Sequence, residues 1–104
     1  MKIEWSPRAE REITQIKHYI SQDSPFYAKQ FTVRLIMAAE KLLDFPRRGR
    51  LVPEAGYQES IREIIFQGYR IIYRIHSDAL LQIITVLHGA QDLTSMQPAP
   101  SLCS

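Results

Sequence analysis

The sequence is short of cysteine, of long apolar runs and, in its second half, of lysine. Its 104 residues contain one cysteine, Cys103, which excludes an intramolecular disulfide and a zinc-ribbon site. The longest charge-free stretch, Ala79–Gln91, has 13 residues and includes four polar side chains, so it is too short to cross a bilayer. Met1–Pro7 carries charges and no apolar segment, unlike a signal peptide. These absences predict a cytoplasmic protein without a membrane partner.

The charges that are present are unevenly distributed. The net charge is +2, but residues 45–76 carry six arginines against three glutamates, and residues 42–104 contain no lysine. Arginine offers a planar fork of donors that suits phosphate and carboxylate groups. The segment therefore indicates either a contact surface or solvated strand edges. The six arginines are Arg47, Arg48, Arg50, Arg62, Arg70 and Arg74.

Hydrophobic spacing predicts a strand followed by two helices. Lys2–Trp5 alternates polar and apolar residues, as a short strand does. Ser6-Pro7 and Ser24-Pro25 are each an N-cap followed by proline, and each precedes an apolar stripe of helical period. The second stripe reaches about Asp44. Because the linker is short, we expect the two helices to form an antiparallel hairpin.

The second half of the chain predicts a loop and three strands. The loop is Arg47–Tyr57, and the strands are Ser60–Phe66, Tyr69–His76 and Leu80–His88. The expected fold is α+β, in the order β-α-α-β-β-β, with the helix hairpin packed on one face of an antiparallel sheet. Residues 1–93 are expected to form a single domain. Residues 94–104, which include Cys103, are expected to be a disordered tail without a role.

Strict alternation about a two-residue turn at Gln67-Gly68 divides the three strands into two faces. The face expected to lie under the helices carries Ile64, Phe66, Tyr69, Ile71, Tyr73, Ile75, Leu80, Ile84 and Val86. The second face carries Ile61, Glu63, Ile65, Arg70, Ile72, Arg74, Leu81, Ile83, Thr85 and Leu87. This second face is too apolar to lie bare in water and is interpreted as a partner surface. Alternatively, Glu63 lies between Arg70 and Arg74 and only balances their charge.

Several motifs stand together in an order that resembles a known superfamily. They are Trp5-Ser6-Pro7-x-Ala9, Phe45-Pro46-x-x-Gly49-Arg50-x-Val52-Pro53-Glu54, Arg62-Glu63, Tyr69-Arg70-Ile71-Ile72-Tyr73-Arg74-Ile75 and Val86-Leu87-His88-Gly89. The set resembles the ParE/RelE superfamily of type II toxin–antitoxin toxins over about residues 1–93. The resemblance implies a growth inhibitor that is neutralised by a cognate antitoxin, either ParD-like or RelB-like.

The resemblance leaves two targets open. ParE-like members are gyrase poisons without chemistry of their own, whereas RelE-like members cleave mRNA on the ribosome without a metal. For the second activity, Glu54 matches a loop base, Arg70 a phosphate-binding arginine and His88 an acid near the end of the last strand. A lone histidine at a strand end is also typical of a structural residue. Neither activity requires a cofactor or a metal.

We favour the gyrase poison, with no catalytic residue, for three reasons. The lysine-rich surface of the RelE branch is missing, and Gly89 follows His88 where several nucleases have a tyrosine or a basic residue. Strict alternation also places His88 and Arg70 on opposite faces. The ending Val86-Leu87-His88-Gly89, with Asp92-Leu93 downstream, is similar to the ParE branch. The residues expected to contact target or antitoxin are Arg47, Arg48, Arg50, Arg62, Arg70, Arg74 and His88.

Overall fold

Two helices pack on a five-stranded sheet in the computed structural model, which describes residues 1–89. The α+β prediction is confirmed, whereas the predicted tail and Cys103 lie outside the described residues. The elements are β1 (Lys2–Trp5), α1 (Pro7–Ser21), α2 (Pro25–Glu40), β2 (Arg50–Leu51), β3 (Ile61–Phe66), β4 (Tyr69–Ile75) and β5 (Leu80–His88). Short 3₁₀ turns lie at Lys41–Leu43, Pro46–Arg48 and Pro53–Ala55.

Within residues 1–89 the strand order is β1-β5-β4-β3-β2, and only the β1–β5 pair is parallel. The predicted antiparallel sheet is confirmed for the other three pairs of residues 1–89, and the parallel β1–β5 pair adds to that prediction. It is parallel because the helix hairpin carries the chain back across the sheet between β1 and the later strands. The short strand β2 is a second difference, since it lies inside the segment predicted as a loop and pairs with Arg62 and Glu63 of β3.

Both helices begin at the predicted caps. The N–H of Ala9 donates to Ser6 Oγ at 3.0 Å, and the N–H of Tyr27 donates to Ser24 Oγ at 3.1 Å. Each cap is followed by proline, whose missing N–H is not needed in the first turn. The helices bury one side of the hairpin against the sheet, where they form the main core. Its buried residues are Ala9, Phe31, Leu35, Ala39, Leu42, Ile71, Tyr73, Leu81, Ile83 and Val86.

A β-bulge in β5 corrects the predicted division of the sheet faces. Ile72 pairs with Thr85 and Tyr73 with Ile83, so Ile84 is an extra residue on β5. Leu81 and Ile83 therefore join the core under the helices, and Ile84 packs on the opposite face. Strict alternation assigned all three to the wrong faces because it assumes an unbroken period of two.

Helix α1 replaces a strand along part of the outer edge of β5. β1 pairs with β5 only as far as Ile83. Beyond that point, Ser6 Oγ donates to the carbonyl of Ile84 at 2.6 Å. Glu12 Oε1 accepts from Thr85 Oγ1 at 2.6 Å and from the N–H of Val86 at 3.0 Å. These side chains satisfy backbone groups that a longer β1 would otherwise have paired.

The β3–β4 hairpin turns at Gln67-Gly68, as predicted. Phe66 pairs with Tyr69, and both turn residues have positive φ, 49° for Gln67 and 85° for Gly68. Two positive φ angles in a two-residue hairpin are the conformation that matches the twist of the flanking strands. Within residues 1–89, no helix has both the length and the apolar character needed to cross a membrane.

Candidate functional site

Residues 46–57, here called the covering loop, include the edge strand β2 and then cover part of the sheet face opposite the helices. Val52 and Ala55 of this loop form a second core with Ile61, Ile72 and Leu87 of the sheet. All five side chains are buried. The prediction that this face is an open partner surface is therefore wrong, because the chain itself covers the apolar part. The sequence did not indicate this, since a loop without periodicity gives no sign of the face it covers.

A network of ion pairs lies beside this second core. Arg70 Nε donates to Glu63 Oε1 at 2.7 Å, and its two terminal nitrogens bind the Glu54 carboxylate at 2.8 and 3.0 Å. Arg50 Nε donates to the other Glu63 oxygen at 2.5 Å. The Glu63 side chain is 1% exposed and that of Arg70 is 10% exposed. Hydrogen bonding to Glu54 raises the pKa of Arg70 above its usual range, with Glu63 adding to the effect.

The alternative interpretation was that Glu63 balances the charges of Arg70 and Arg74. Glu63 does balance two arginines, but the second one is Arg50. Arg50, from the neighbouring strand β2, takes the place predicted for Arg74. Arg74 Nε is buried and has no hydrogen-bond partner among the described residues. The position of β2 explains the difference, because Arg50 is directly opposite Glu63 in the β2–β3 pair.

Arg62 and Tyr73 hold the beginning of the covering loop. Arg62 Nη1 donates to the carbonyls of Arg47 and Gly49, at 3.2 and 2.8 Å. The hydroxyl of Tyr73, which is fully buried, donates to the carbonyl of Pro46 at 2.6 Å and accepts from the N–H of Gly49 at 3.0 Å. Arg62 was predicted as a contact residue, and its guanidinium is here used within the chain.

His88 lies on the other side of the sheet, in a separate cleft. It pairs with Tyr69 across β4 and β5, and the two rings meet edge-on with centroids 5.3 Å apart. The cleft has a volume of about 360 Å³, and no lysine or arginine of the described residues lines it. Desolvation raises the pKa of Tyr69. The lining residues are Glu12, Gln15, Ile16, Tyr19, Tyr69, Val86 and His88.

The three residues matched to a nuclease are therefore not brought together. Glu54 and Arg70 form an ion pair on the covering-loop face, whereas His88 is on the helix face, as the predicted register required. In residues 1–89, no three histidine, cysteine, aspartate or glutamate side chains form a group that could hold a metal ion. Glu54, Arg70 and His88 are therefore not arranged as a base, a cation and an acid around one phosphate.

An exposed aromatic side chain that was not predicted as a contact residue lies among the loop arginines. Phe45 is 70% exposed and borders a cleft of about 450 Å³ together with Arg47, Arg48 and Pro46. Arg47 forms an exposed ion pair with Glu59, whose pKa is lowered mainly by a hydrogen bond from Arg62. The signal available in the sequence was the Phe-Pro-Arg-Arg order, in which an aromatic residue precedes two cations just after a helix.

Comparison with known proteins identifies the family. The profile of the family described as the ParE toxin of the type II toxin-antitoxin system, parDE, matches residues 3–93. The chain is 32% identical over 90 residues to Toxin RelE2 of Caulobacter vibrioides, covering 86% of this chain and 97% of that protein. It is 35% identical over 92 residues to Putative toxin Y4kP of Sinorhizobium fredii, covering 86% and 90%.

The fold agrees with the sequence comparison. A solved structure of the chromosomal ParDE TA system from P. aeruginosa matches with a TM-score of 0.69 and 16% identity, covering 85% of this chain and 95% of that one. This likeness shows the fold. The chain belongs to the ParE toxin family of type II toxin–antitoxin systems, so the superfamily resemblance of its motifs is confirmed and a cognate antitoxin is implied.

Proposed function

We propose that this toxin arrests growth by binding DNA gyrase and that it performs no chemistry of its own. The observation that carries the proposal is the separation of His88 from Glu54 and Arg70 by the sheet. Metal-free RNA cleavage needs its acid, base and cation within reach of one phosphodiester. Here the Arg70 guanidinium is already bound to two carboxylates, and no lysine or arginine in the described part of the chain lines the cleft of His88.

The surface around Phe45 supports binding to a protein target. Aromatic and arginine side chains supply most of the energy in many protein–protein interfaces, especially where they lie beside an apolar cleft. Phe45, Arg47 and Arg48 fit this description, and Ile75 adds apolar surface to the same cleft. We assign this group, here called the Phe45 surface, to contact with gyrase.

A supercoiling assay with purified gyrase tests the proposal. The wild-type chain is expected to inhibit supercoiling and to increase cleaved DNA. Phe45→Ala is expected to weaken inhibition by about tenfold or more, as loss of a central aromatic anchor does. Phe26→Ala is the matched control, because Phe26 is 72% exposed on α2, outside the Phe45 surface, and is expected to leave inhibition unchanged. Full gyrase activity at micromolar excess of the wild-type chain would contradict the proposal.

A second candidate is mRNA cleavage on the ribosome, since one relative has the name RelE2. This activity predicts cut transcripts in a translation assay and their loss in His88→Gln. If expression of the chain arrests growth while transcripts stay intact, mRNA cleavage is excluded. A neighbouring reading frame for a small protein with a DNA-binding N-terminus is expected to encode the antitoxin.

A further inference from the structure

Helix α2 carries a stripe of exposed apolar side chains on the side that faces away from the sheet. Phe26, Val33 and Met37 are 72%, 50% and 54% exposed. Their spacing is close to two helical turns and then one turn, so they lie on one line along the helix. The buried residues of α2, on its other side, are Ala28, Phe31, Leu35 and Ala39. A helix that packs on a sheet needs only one apolar face, so the stripe indicates a second contact surface.

A shallow groove of about 420 Å³ lies along this stripe, and the described residues that line it all belong to α2. They are Phe26, Lys29, Gln30, Val33, Arg34 and Met37. These positions repeat the spacing i, i+3, i+4, i+7 twice, beginning at Phe26 and again at Gln30. Four residues with this spacing form the hole that receives one side chain of a facing helix in knobs-into-holes packing. The groove therefore has the form of two successive holes, which a second helix fits.

We propose that the occupant is α2 of a second copy of this chain, so that two copies pair through antiparallel α2 helices about a two-fold axis. Val33 of each copy then lies opposite Met37 of the other, and each helix supplies both the knobs and the holes. Such a contact is isologous, because the same surface is used by both copies. The inference depends neither on the target of the toxin nor on its antitoxin.

The charges beside the stripe are complementary to themselves in the antiparallel orientation. Lys29 and Glu40 are separated by about three turns, so they lie on the same flank of the stripe. Both are exposed, and neither forms an ion pair within residues 1–89. With Val33 opposite Met37, Lys29 of each copy is opposite Glu40 of the other. A parallel pair would instead place like charges together, so the charges select the antiparallel one.

The pair is expected to be weak and to depend on protein concentration. One face of a single 16-residue helix is smaller than the interface of a stable dimer, which buries about 1,200 Å² or more in total. Arg34, on the other flank of the stripe, brings a like charge from each copy near the axis and weakens the contact further. Association is therefore expected at high protein concentration and not at low concentration.

Sedimentation velocity of the full chain over about a hundredfold range of concentration tests the proposal. The average mass of the wild-type chain is expected to rise from that of a monomer towards that of a dimer. Met37→Glu is expected to weaken association by about tenfold or more, because it places a charge in the apolar contact of both copies. Ile65→Glu is the matched control, since Ile65 is also 54% exposed but lies on β3, and it is expected to associate as the wild type does.

Charge exchange tests the antiparallel orientation. Lys29→Glu and Glu40→Lys are each expected to weaken self-association by about fivefold or more, because both ion pairs become like-charge contacts. A mixture of these two variants is expected to recover association, since each chain then carries the partner charges of the other. Lys2→Glu is the control, because it changes the net charge equally on the exposed part of β1. Thermal unfolding checks that each variant is folded.

Any of three results would overturn the pairing. They are a wild-type chain that stays monomeric at every concentration, equal association of Met37→Glu and the wild type, and no recovery of association in the mixture of charge variants. The first result would mean that the stripe is not used by a second copy and would leave it to a helix of a different protein. The supercoiling assay depends on the Phe45 surface, so its outcome is independent of the pairing.

Discussion

At the scale of single residues, Tyr73 connects the main core to the covering loop. Its ring is buried under the helices, and its hydroxyl bonds both Pro46 and Gly49. Gly49 is required here for space, because a Cβ at this position would lie 2.5 Å from the Tyr73 hydroxyl and 2.7 Å from the carbonyl of Glu63. Its φ of −71° is allowed for every residue type, so the backbone conformation does not require glycine.

Removal of the Tyr73 hydroxyl is expected to destabilise the fold. Tyr73→Phe leaves the N–H of Gly49 and the carbonyl of Pro46 without their partner, which costs about 1–3 kcal/mol of unfolding free energy. Urea unfolding measures the loss. Tyr57→Phe is the control, because Tyr57 is 63% exposed, and is expected to change stability by less than about 0.5 kcal/mol. Equal losses in the two variants would contradict the assigned role.

The same hydroxyl predicts a loss of stability at high pH. Burial is the main cause that raises the pKa of Tyr73 above its usual value of 10. The unfolded chain therefore releases this proton first, so the stabilisation is complete below about pH 10 and is lost as pH rises through the raised pKa. Unfolding free energy measured from pH 8 to 11 is expected to fall less steeply in Tyr73→Phe. The Tyr57→Phe control keeps the buried hydroxyl and is expected to keep the wild-type slope.

At the scale of secondary-structure elements, helix α1 both packs against the main core and covers part of the outer edge of β5. Its inner face contributes to the main core, and Glu12 accepts two hydrogen bonds from β5 beyond the end of β1. A carboxylate that accepts from a hydroxyl and an N–H forms stronger bonds than a neutral acceptor does. β1 therefore ends where side chains of α1 and its N-cap begin to bind the outer edge of β5.

Loss of the Glu12 carboxylate is expected to loosen this edge. Glu12→Ala leaves Thr85, which is fully buried, and the N–H of Val86 unsatisfied, and the expected cost is about 2–3 kcal/mol. Glu12→Gln keeps an acceptor oxygen and is expected to lose less. Glu10→Ala, an exposed position on the same helix, controls for helix propensity. Chemical unfolding of the three variants, with amide exchange at Val86, distinguishes loss of this contact from a general effect on α1.

At the scale of the whole molecule, four of the six arginines of the middle segment form ion pairs within the fold. Arg70 and Arg50 pair with Glu63, and Arg47 and Arg62 pair with Glu59. The charge of the middle segment is therefore not a direct measure of its binding surface. Three cations without an ion pair in the part of the chain described, Arg34, Lys41 and Arg48, line one groove between α2 and β3.

Arg70 connects the covering loop to the sheet through its two hydrogen bonds to Glu54. Lysine cannot bind Glu54 with two parallel hydrogen bonds while also bonding Glu63, so Arg70→Lys is expected to cost about 3 kcal/mol. Trypsin is expected to cleave within residues 46–57 more rapidly in this variant. Arg74→Lys is the control on the same strand face, because Arg74 Nε has no hydrogen-bond partner within residues 1–89, and it is expected to change stability and cleavage little. Similar cleavage of the two variants would contradict the assignment.

Much of the fold could be predicted because its elements carry local signals. The serine–proline caps, the helical stripes and the β3–β4 turn are set by residues close in sequence, and the structure has them where they were expected. The bulge could not be found in this way. Leu80–Leu87 is apolar in both phases of a period of two, so either assignment of its faces fits the pattern.

The site was predictable only in part, for a similar reason. The hairpin register gives the proximity of Glu63 to Arg70 and the separation of Arg70 from His88. The contribution of Arg50 depends on β2, whose two residues are too few to show a period. The roles of Glu12 and Arg62 depend on contacts between distant segments, which no local pattern contains.

The extra residue at Ile84 makes the length of β5 as important as its composition. Removal of one residue there would restore strict alternation and turn Leu81 and Ile83 away from the helices. It would also shift the strand relative to β1 and to Glu12, which bind it on either side of the bulge. Many apolar exchanges in this strand are compatible with the fold, whereas a one-residue deletion would disrupt both cores at once. Insertions and deletions are therefore expected to collect in the loops and to be absent from β5.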